Sequence, residues 1–572
     1  KSVEHLIAAI PGVADAETTI NFDVTLDLPD ATGPTIGRMI GLVNGAQPRL
    51  NKIFIRRGRM IESSRANEVI VSEGFALAHK LQPGDHIAAL LNGKRETLAI
   101  VGIALSPEYV YAWGGGALPD PASFGVFWID RTRLAGAFSM EGAFNRVAIR
   151  LASDAFMQSV IDTLDRILAP YGGLNAHGRD EQPSHRFLSQ EIDQQKVMGT
   201  TLPIPFFGVA MFLLNVVLSR IVSSQREQIA ALKAVGYANS TIAAHYLKLV
   251  LLIAGIGIVI GLGVGFWFGH YMTSMYTRFF HFPRFLFHVE LWIVLLAAGI
   301  SLLVAIGGAL HAVGQVVTLA PAQAMRPPSP PKYRKMLIER YGLAHWLSPG
   351  ARMVVRTLER RPLRALVTVV GIASGVGVLI SGTFWWDSVE YLIDVQFQAI
   401  QRADTELALV EPMSSYVRRE VENMPGVRRV EVSRMVPVRL VVGHHWYRTA
   451  IQGIARGAQL RRLLDSDLRE VPLPSDGLVL TERLATRLGV RPGDKLRVES
   501  LEGKRHQRDV IVAGLVNELI GLSAYMNIAT LNRFMGEGDL VSAISIALDR
   551  SAESAFFANV KKLPRIATAA SK

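Results

Sequence analysis

Residues able to do chemistry at a fixed spacing are scarce in this chain. A phosphate-binding loop needs Gly, four residues, Gly-Lys, then Ser or Thr, so that backbone N–H groups and the Lys hold the phosphates. The Gly-Lys pairs Gly93-Lys94 and Gly503-Lys504 are each followed by Arg and fall in predicted hairpins. His444-His445 and the scattered histidines lack metal-ligand spacing and read as solvated. There is no Gly-x-Ser-x-Gly element and no nucleophile–base arrangement. With no cysteine, disulfides, thiolate metal sites and cysteine nucleophiles are excluded. No catalytic, metal or cofactor-binding residue is assigned, and any ATP must be bound by another chain. The stretch Trp113-Gly-Gly-Gly-Ala-Leu-Pro reads as a plain surface loop before it reads as one that touches substrate.

What positions the remaining residues is a membrane. Of 572 residues, 49% are hydrophobic and 19% charged, too apolar for an ordinary soluble protein and too charged for a pure membrane bundle. A bilayer-spanning helix needs about 20 apolar residues. Pro203–Val222, Leu247–Phe268, Leu291–Leu319 and Leu363–Trp386 qualify, with charges such as Arg220, Lys248, Glu290 and Asp387 only at their ends. The stretch 320–362 is rich in Lys and Arg, and the loop 223–244 adds Arg226 and Lys233. Both are therefore expected in the cytoplasm. The turn His270–Glu290 and the long segments at either end then face outside. The net charge of +12 becomes a topology signal, and no nucleic-acid partner is expected.

A repeat runs through the two outside segments. Asn67-Glu-Val-Ile-Val-Ser-Glu-Gly, Leu81-Gln-Pro-Gly-Asp-His-Ile, Asn92-Gly-Lys-Arg and Ile100-Val-Gly-Ile recur in order. Their counterparts are Asp476-Gly-Leu-Val-Leu-Thr-Glu-Arg, Val490-Arg-Pro-Gly-Asp-Lys-Leu, Glu502-Gly-Lys-Arg and Val512-Ala-Gly-Leu. Upstream, Ile10-Pro-Gly-Val pairs with Met424-Pro-Gly-Val. Each copy is expected to be a mixed α+β domain, with strands separated by Pro-Gly-Asp and Asn-Gly turns, a small helix at Phe75–Lys80 or Arg483–Leu488, and a late strand at Arg146–Leu151 or Ala543–Leu548. The expected fold is an α-helical transmembrane bundle plus two homologous α+β extracytoplasmic domains. Its divisions are an outside domain at 1–197, three spans within 198–322, a cytoplasmic linker and interface helix at 323–362, a span at 363–386 and a second outside domain at 387–572. A further span before Lys1 and more after Lys572 are expected, so the chain reads as part of a longer two-unit protein.

The stretch Ser219-Arg-Ile-Val-Ser-Ser-Gln-Arg-Glu-Gln-Ile-Ala-Ala-Leu-Lys-Ala-Val-Gly-Tyr resembles the FtsX-like permease family, in which Arg-Glu leads into a Leu-Lys/Arg-Ala-x-Gly helix. Val355-Arg-Thr-Leu-Glu-Arg-Arg-Pro-Leu-Arg before a Gly-rich span looks like that family's amphipathic helix and first span. Val69-Ile-Val-Ser-Glu and Pro83-Gly-Asp look like its MacB-type extracytoplasmic domain. The resemblance implies an ABC-type permease in a bacterial inner membrane, working by mechanotransmission. Its expected partners are a dimeric cytoplasmic ATPase subunit, membrane lipids and a periplasmic or outer-membrane protein. Arg226–Gly236 is helical in pattern, with Ile229, Leu232 and Val235 at i, i+3, i+6, and would then be a coupling helix, with Ile229 and Leu232 as anchors, Arg226, Glu227 and Lys233 as polar contacts, and Gly236 at its end. Arg352, Arg356, Arg360, Arg361 and Arg364 would lie on the basic face of a helix in the cytoplasmic interface. Glycines at four-residue spacing (Gly257, Gly261, Gly265 and Gly269; Gly371 and Gly375) mark ridges suited to close helix packing. Uncharged span interiors argue against an ion-driven secondary transporter. A membrane scaffold that regulates a cell-wall hydrolase stays open as the alternative.

Overall fold

The computed structural model describes residues 2–28, 35–63, 65, 67–112, 114, 120–173, 176–284, 286–317, 348, 350, 353, 362–443, 445–518, 521–560, 563 and 565–571. They form two compact units. One combines Lys1–Ser189, Thr277–Arg284 and Glu390–Lys572, and the other combines Gln190–Tyr276 with Phe285–Val389.

In the first copy the chain runs α1 (Ser2–Ala8), β1 (Val13–Thr19), β2 (Asn21–Asp27), β3 (Thr35–Leu42), β4 (Phe54–Gly58), β5 (Glu68–Ser72), α2 (Glu73–Ala78), β6 (His86–Leu91), β7 (Lys94–Leu105), β8 (Phe124–Asp130), α3 (Arg131–Phe138), β9 (Arg146–Leu151) and α4 (Met157–Leu168). Long helices follow: α5 (Pro183–Thr201), α6 (Pro203–Ser224), α7 (Arg226–Ala234), α8 (Asn239–Tyr276), α9 (Leu291–Val317) and α10 (Pro362–Asp394). The second copy runs β10 (Thr405–Ser414), α11 (Val417–Glu422), β11 (Val427–Val442), β12 (His445–Ile454), β13 (Leu478–Thr481), α12 (Glu482–Leu488), β14 (Lys495–Ser500), β15 (Gln507–Val516), β16 (Ala524–Asn527), α13 (Ile528–Met535), β17 (Leu540–Leu548), α14 (Glu553–Val560) and β18 (Ile566–Ser571).

The repeat holds pairing for pairing. In the first copy β3–β8–β5–β7–β6–β2 closes on itself through β2–β3, and β3–β8 and β5–β7 are parallel. In the second, β12–β16–β13–β15–β14–β11 closes through β11–β12, with β12–β16 and β13–β15 parallel. Each copy thus contains a closed six-stranded ring. Alternate strand side chains fill it, among them Val69, Val71 and Leu98 in one ring and Leu478, Leu480 and Val498 in the other, packed with Phe75 of α2 and Leu484 of α12.

The turns repeat as well. Gly84 N–H donates to Ile100 O and Gln82 N–H to Asp85 Oδ2, both at 2.7 Å, while Gly493 N–H donates to Val512 O and Arg491 N–H to Asp494 Oδ2, both at 2.8 Å. The glycines sit at φ +106° and +96°, a region other residues avoid. Glu17 accepts the backbone N–H groups of Arg49 and Leu50, as Glu431 accepts those of Gln459 and Leu460.

Beside each ring lies an open layer: β1 with β9, and the first half of β11 with β17. In the second copy β17 also pairs with β10, and β10 with β18, additions with no counterpart among the described residues of the first.

In the membrane unit, four stretches are long and apolar enough to cross a bilayer: Pro183–Ser224, Asn239–Tyr276, Leu291–Leu310 and Thr368–Ile400. Helices α5 and α6 form one 42-residue run. At its middle, Pro203 and Pro205 remove two backbone donors. Helix α6 meets α9 through Gly308, where a Cβ would stand 3.1 Å from Met211 O, and Asn215 donates to Gly308 O at 3.1 Å. Leu218, Val250, Ala305 and Ala309 fill the space around that crossing. Of the glycine ridges expected to pack, Gly371 lies against Phe212 and Gly269 against Phe287, whereas Gly257, Gly261, Gly265 and Gly375 face open space among the described residues.

In the second ring, Arg434 is 2% exposed and donates to both Glu502 and Glu537. Replacement by Ala leaves two carboxylates facing each other over a void. Arg434→Ala is expected to cost about 3–5 kcal/mol of unfolding free energy, a figure typical of breaking one side of a buried pair. Denaturant unfolding followed by tryptophan fluorescence checks this, and a loss below about 1 kcal/mol would show the cluster to be dispensable.

Candidate functional site

Helix α7 begins where α6 breaks at Gln225 (φ −96°, ψ 14°) and ends before Gly236, whose φ of +101° favours glycine. The Tyr246 hydroxyl donates to Gln225 Oε1 at 2.6 Å and ties this break to α8. Ile229 does not face outward. At 3% exposure it packs on Val222, Ile242 and Tyr246, which corrects its expected part as a docking anchor. Along a helix, i, i+3 and i+6 step round the axis by about 60° each time, so Ile229 and Val235 stand about 120° apart and one neighbour need not cover both. Here α8 covers the Ile229 end, and Leu232 (43%), Val235 (80%) and Tyr237 are left exposed. Glu227 is exposed and Lys233 half-buried. Arg226 opens the helix, its side chain lying outside the described residues. Val235 belongs to the sequence pattern without being assigned there as an anchor, and Tyr237 is not singled out by it.

Arg352, Arg356, Arg360 and Arg361 lie outside the described residues, as do Trp113 and His444. Arg364 belongs to α10, its side chain outside the described residues. No group of three or more His, Asp or Glu suited to a metal occurs among the described residues.

In the outer unit a groove of about 1610 Å³ runs along β9, lined by Val147, Ile149, Leu151, Met157 and Val160. The corresponding edge in the second copy, on β17, is covered by β10. At one end of the groove Arg146 pairs with Glu108 and donates to the Tyr109 hydroxyl at 3.2 Å. Burial pushes the Glu108 carboxyl above its ordinary range despite that pairing. The two copies are joined by Arg448 on β12. It donates to Glu181 Oε2 and Ala176 O, both at 3.0 Å, and lies over the Trp446 ring.

A second buried carboxyl stands in the loop after β15. Glu518 is 8% exposed and accepts the Tyr525 hydroxyl at 2.8 Å. Burial pushes its pKa up, and Tyr525 and Arg461 offset this only in part.

Residues 201–321, which contain α6 to α9, match the model of the family described as FtsX-like permease C-terminal. No curated protein matches the chain. Among solved structures, the chain is similar to the extracellular domain of the noncanonic ABC-type transporter YknZ from Gram-positive bacteria, at 15% identity and a TM-score of 0.22, covering 30% of this chain and 84% of that one. It is also similar to the periplasmic region of MacB from Actinobacillus actinomycetemcomitans, at 12% identity and a TM-score of 0.23, covering 31% of this chain and 91% of that one.

Because its folded-state pKa is raised, Glu518 favours the fold most at low pH. That contribution is lost as pH rises from the ordinary carboxylate value through the raised one. Glu518→Gln keeps an acceptor for Tyr525 and removes the charge. Thermal unfolding should therefore show the variant gaining Tm over the parent as pH rises from 4 to 8. Parallel Tm–pH curves would contradict the assigned burial of charge.

Proposed function

We propose that this chain is the membrane-spanning permease subunit of an ABC-type export or extraction system, driven by a separate cytoplasmic ATPase. The reading is carried by the FtsX-like permease match over residues 201–321. Within that stretch lies a short helix, α7, set between two long apolar helices, with Leu232 near its end and Val235 and Tyr237 just past it exposed. An exposed apolar stripe on a helix is suited to the groove of a partner. Leu232 and Val235 take the role of anchors, with Glu227, Lys233 and Arg226 as the polar contacts around them. Gly236, at φ +101°, makes the turn that follows α7.

Work done by the ATPase on α7 reaches α6 through Gln225 and α8 through Tyr246, and these helices carry it to the outer domains. No step of chemistry is assigned to this chain; its part is mechanical. The basic residues Arg352, Arg356, Arg360, Arg361 and Arg364 hold lipid phosphates at the cytoplasmic interface in this reading. The membrane is a bacterial inner membrane, with both α+β domains outside it.

The test is co-purification of the ATPase with the tagged full-length protein in mild detergent. Leu232→Asp and Val235→Asp are each expected to lose the bound ATPase while the permease keeps its own thermal stability. Ile229→Asp should instead destabilise the permease itself, because it places a carboxylate against Val222, Ile242 and Tyr246. A tight ATPase that survives both outward changes would move the docking site elsewhere. If none binds, even with candidate ATPases co-expressed, the permease reading falls.

A further inference from the structure

The turn between α8 and α9 is built into the first outer domain. Thr277–Arg284 groups with that unit, whereas the helices on either side group with the membrane unit. Phe280 is 7% exposed, its ring 5.5 Å from that of Tyr111, which in turn lies 4.7 Å from Phe187. His281 N–H donates to Val110 O at 2.9 Å. Arg56 donates to Pro283 O at 2.9 Å and Phe282 O at 3.2 Å, while its Nε holds Glu73 at 2.8 Å. The His281 imidazole lies on the first turn of α2, where residue 74 is glycine. A Cβ there would stand 3.0 Å from the ring.

A cavity of about 80 Å³ borders that ring, and Phe75, Leu105, Phe124 and Trp128 give it apolar walls. The charged and titratable groups around it are Glu73 on α2, Arg56 on β4, Arg278 on the turn itself and Tyr109 after β7. The acid among them, Glu73, is already bonded to Arg56. Adding a proton to His281 would thus place a cation in a largely apolar slot whose carboxylate, Glu73, is already engaged by Arg56. Burial accordingly holds its pKa below the ordinary histidine value, against the pull of Glu73.

We propose that Thr277–Arg284 is an acid-released clasp, in which neutral His281 seated on Gly74 holds the turn in the first outer domain and protonation of the ring frees it. The proposal rests on the permease reading, since only there does holding or freeing this turn between α8 and α9 bear on transport. Docking favours the neutral ring, so the clasp is at full strength above the ordinary histidine pKa of about 6.5. It weakens as pH falls through the window below that value, by at most about tenfold per pH unit, and levels off once the docked ring is itself protonated.

Hydrogen exchange read by mass spectrometry tests this on the full-length protein in lipid nanodiscs, labelled at pH 7.5 and 5.0 and corrected for intrinsic exchange. Peptides covering 277–284 and 106–112 are expected to lose protection at pH 5.0 while β5 and β8 keep theirs. His281→Phe should hold the turn equally at both values. Equal protection at both pH values in the parent overturns the clasp, as does an undiminished pH response in His281→Phe. Should that variant lose protection in β5 and β8, His281→Asn replaces it under the same two criteria. ATPase co-purification at pH 7.5 is independent of this result, so the clasp and the permease reading fail separately.

Discussion

Strand β7 hydrogen-bonds first to β6 and then, further along its twelve residues, to β5 and β4. One strand thereby joins what would otherwise be two ends of a sheet. Strand β15 does the same between β14 and β13. Both changes of partner depend on a Pro-Gly-Asp turn whose glycine donates into the strand and whose aspartate caps its own loop. Without ring closure, each domain would present a long antiparallel edge to other chains. With it, the apolar faces of α2 and α12 have a closed surface to sit on, and the side layers and loops are hung from that.

Local features were the legible ones. The turn signals and alternating apolar runs placed the late strands and the small helices within a few residues, and the order of repeated motifs showed two copies of one fold. Ring closure was not legible, because β2 with β6 and β3 with β8 are pairings between distant segments that no local pattern encodes. Strand β10 escaped notice for a related reason: its partner β17 lies more than a hundred residues later. The membrane helices were found by composition, yet α5 was missed because its polar face hides the continuity with α6.

At the candidate site, the sequence put Ile229, Leu232 and Val235 at i, i+3, i+6 but could not say that α8 covers the first of them. The same limit applies to the helix crossings. Regular glycine spacing pointed to ridges on α8, whereas the close approach of α6 and α9 uses Gly308 and the amide of Asn215. A small residue allows contact only where a neighbour arrives, and the neighbour is set by the whole bundle. The turn carrying His281 read as a simple outside connection, because nothing in its composition reports the slot that Gly74 opens in another domain.

The run from Pro183 to Ser224 has a further consequence for mechanics. Two prolines two residues apart leave two carbonyls of the preceding turn, those of Gly199 and Thr201, without their helical donors, so bending is easiest at that point. Such a rod behaves as two stiff shafts with a compliant coupling between them. It carries thrust along its axis from one shaft to the other but passes on little bending moment. The outer shaft can then swing without prying apart the crossing at Gly308, and the inner shaft can tilt without levering its partner out of line.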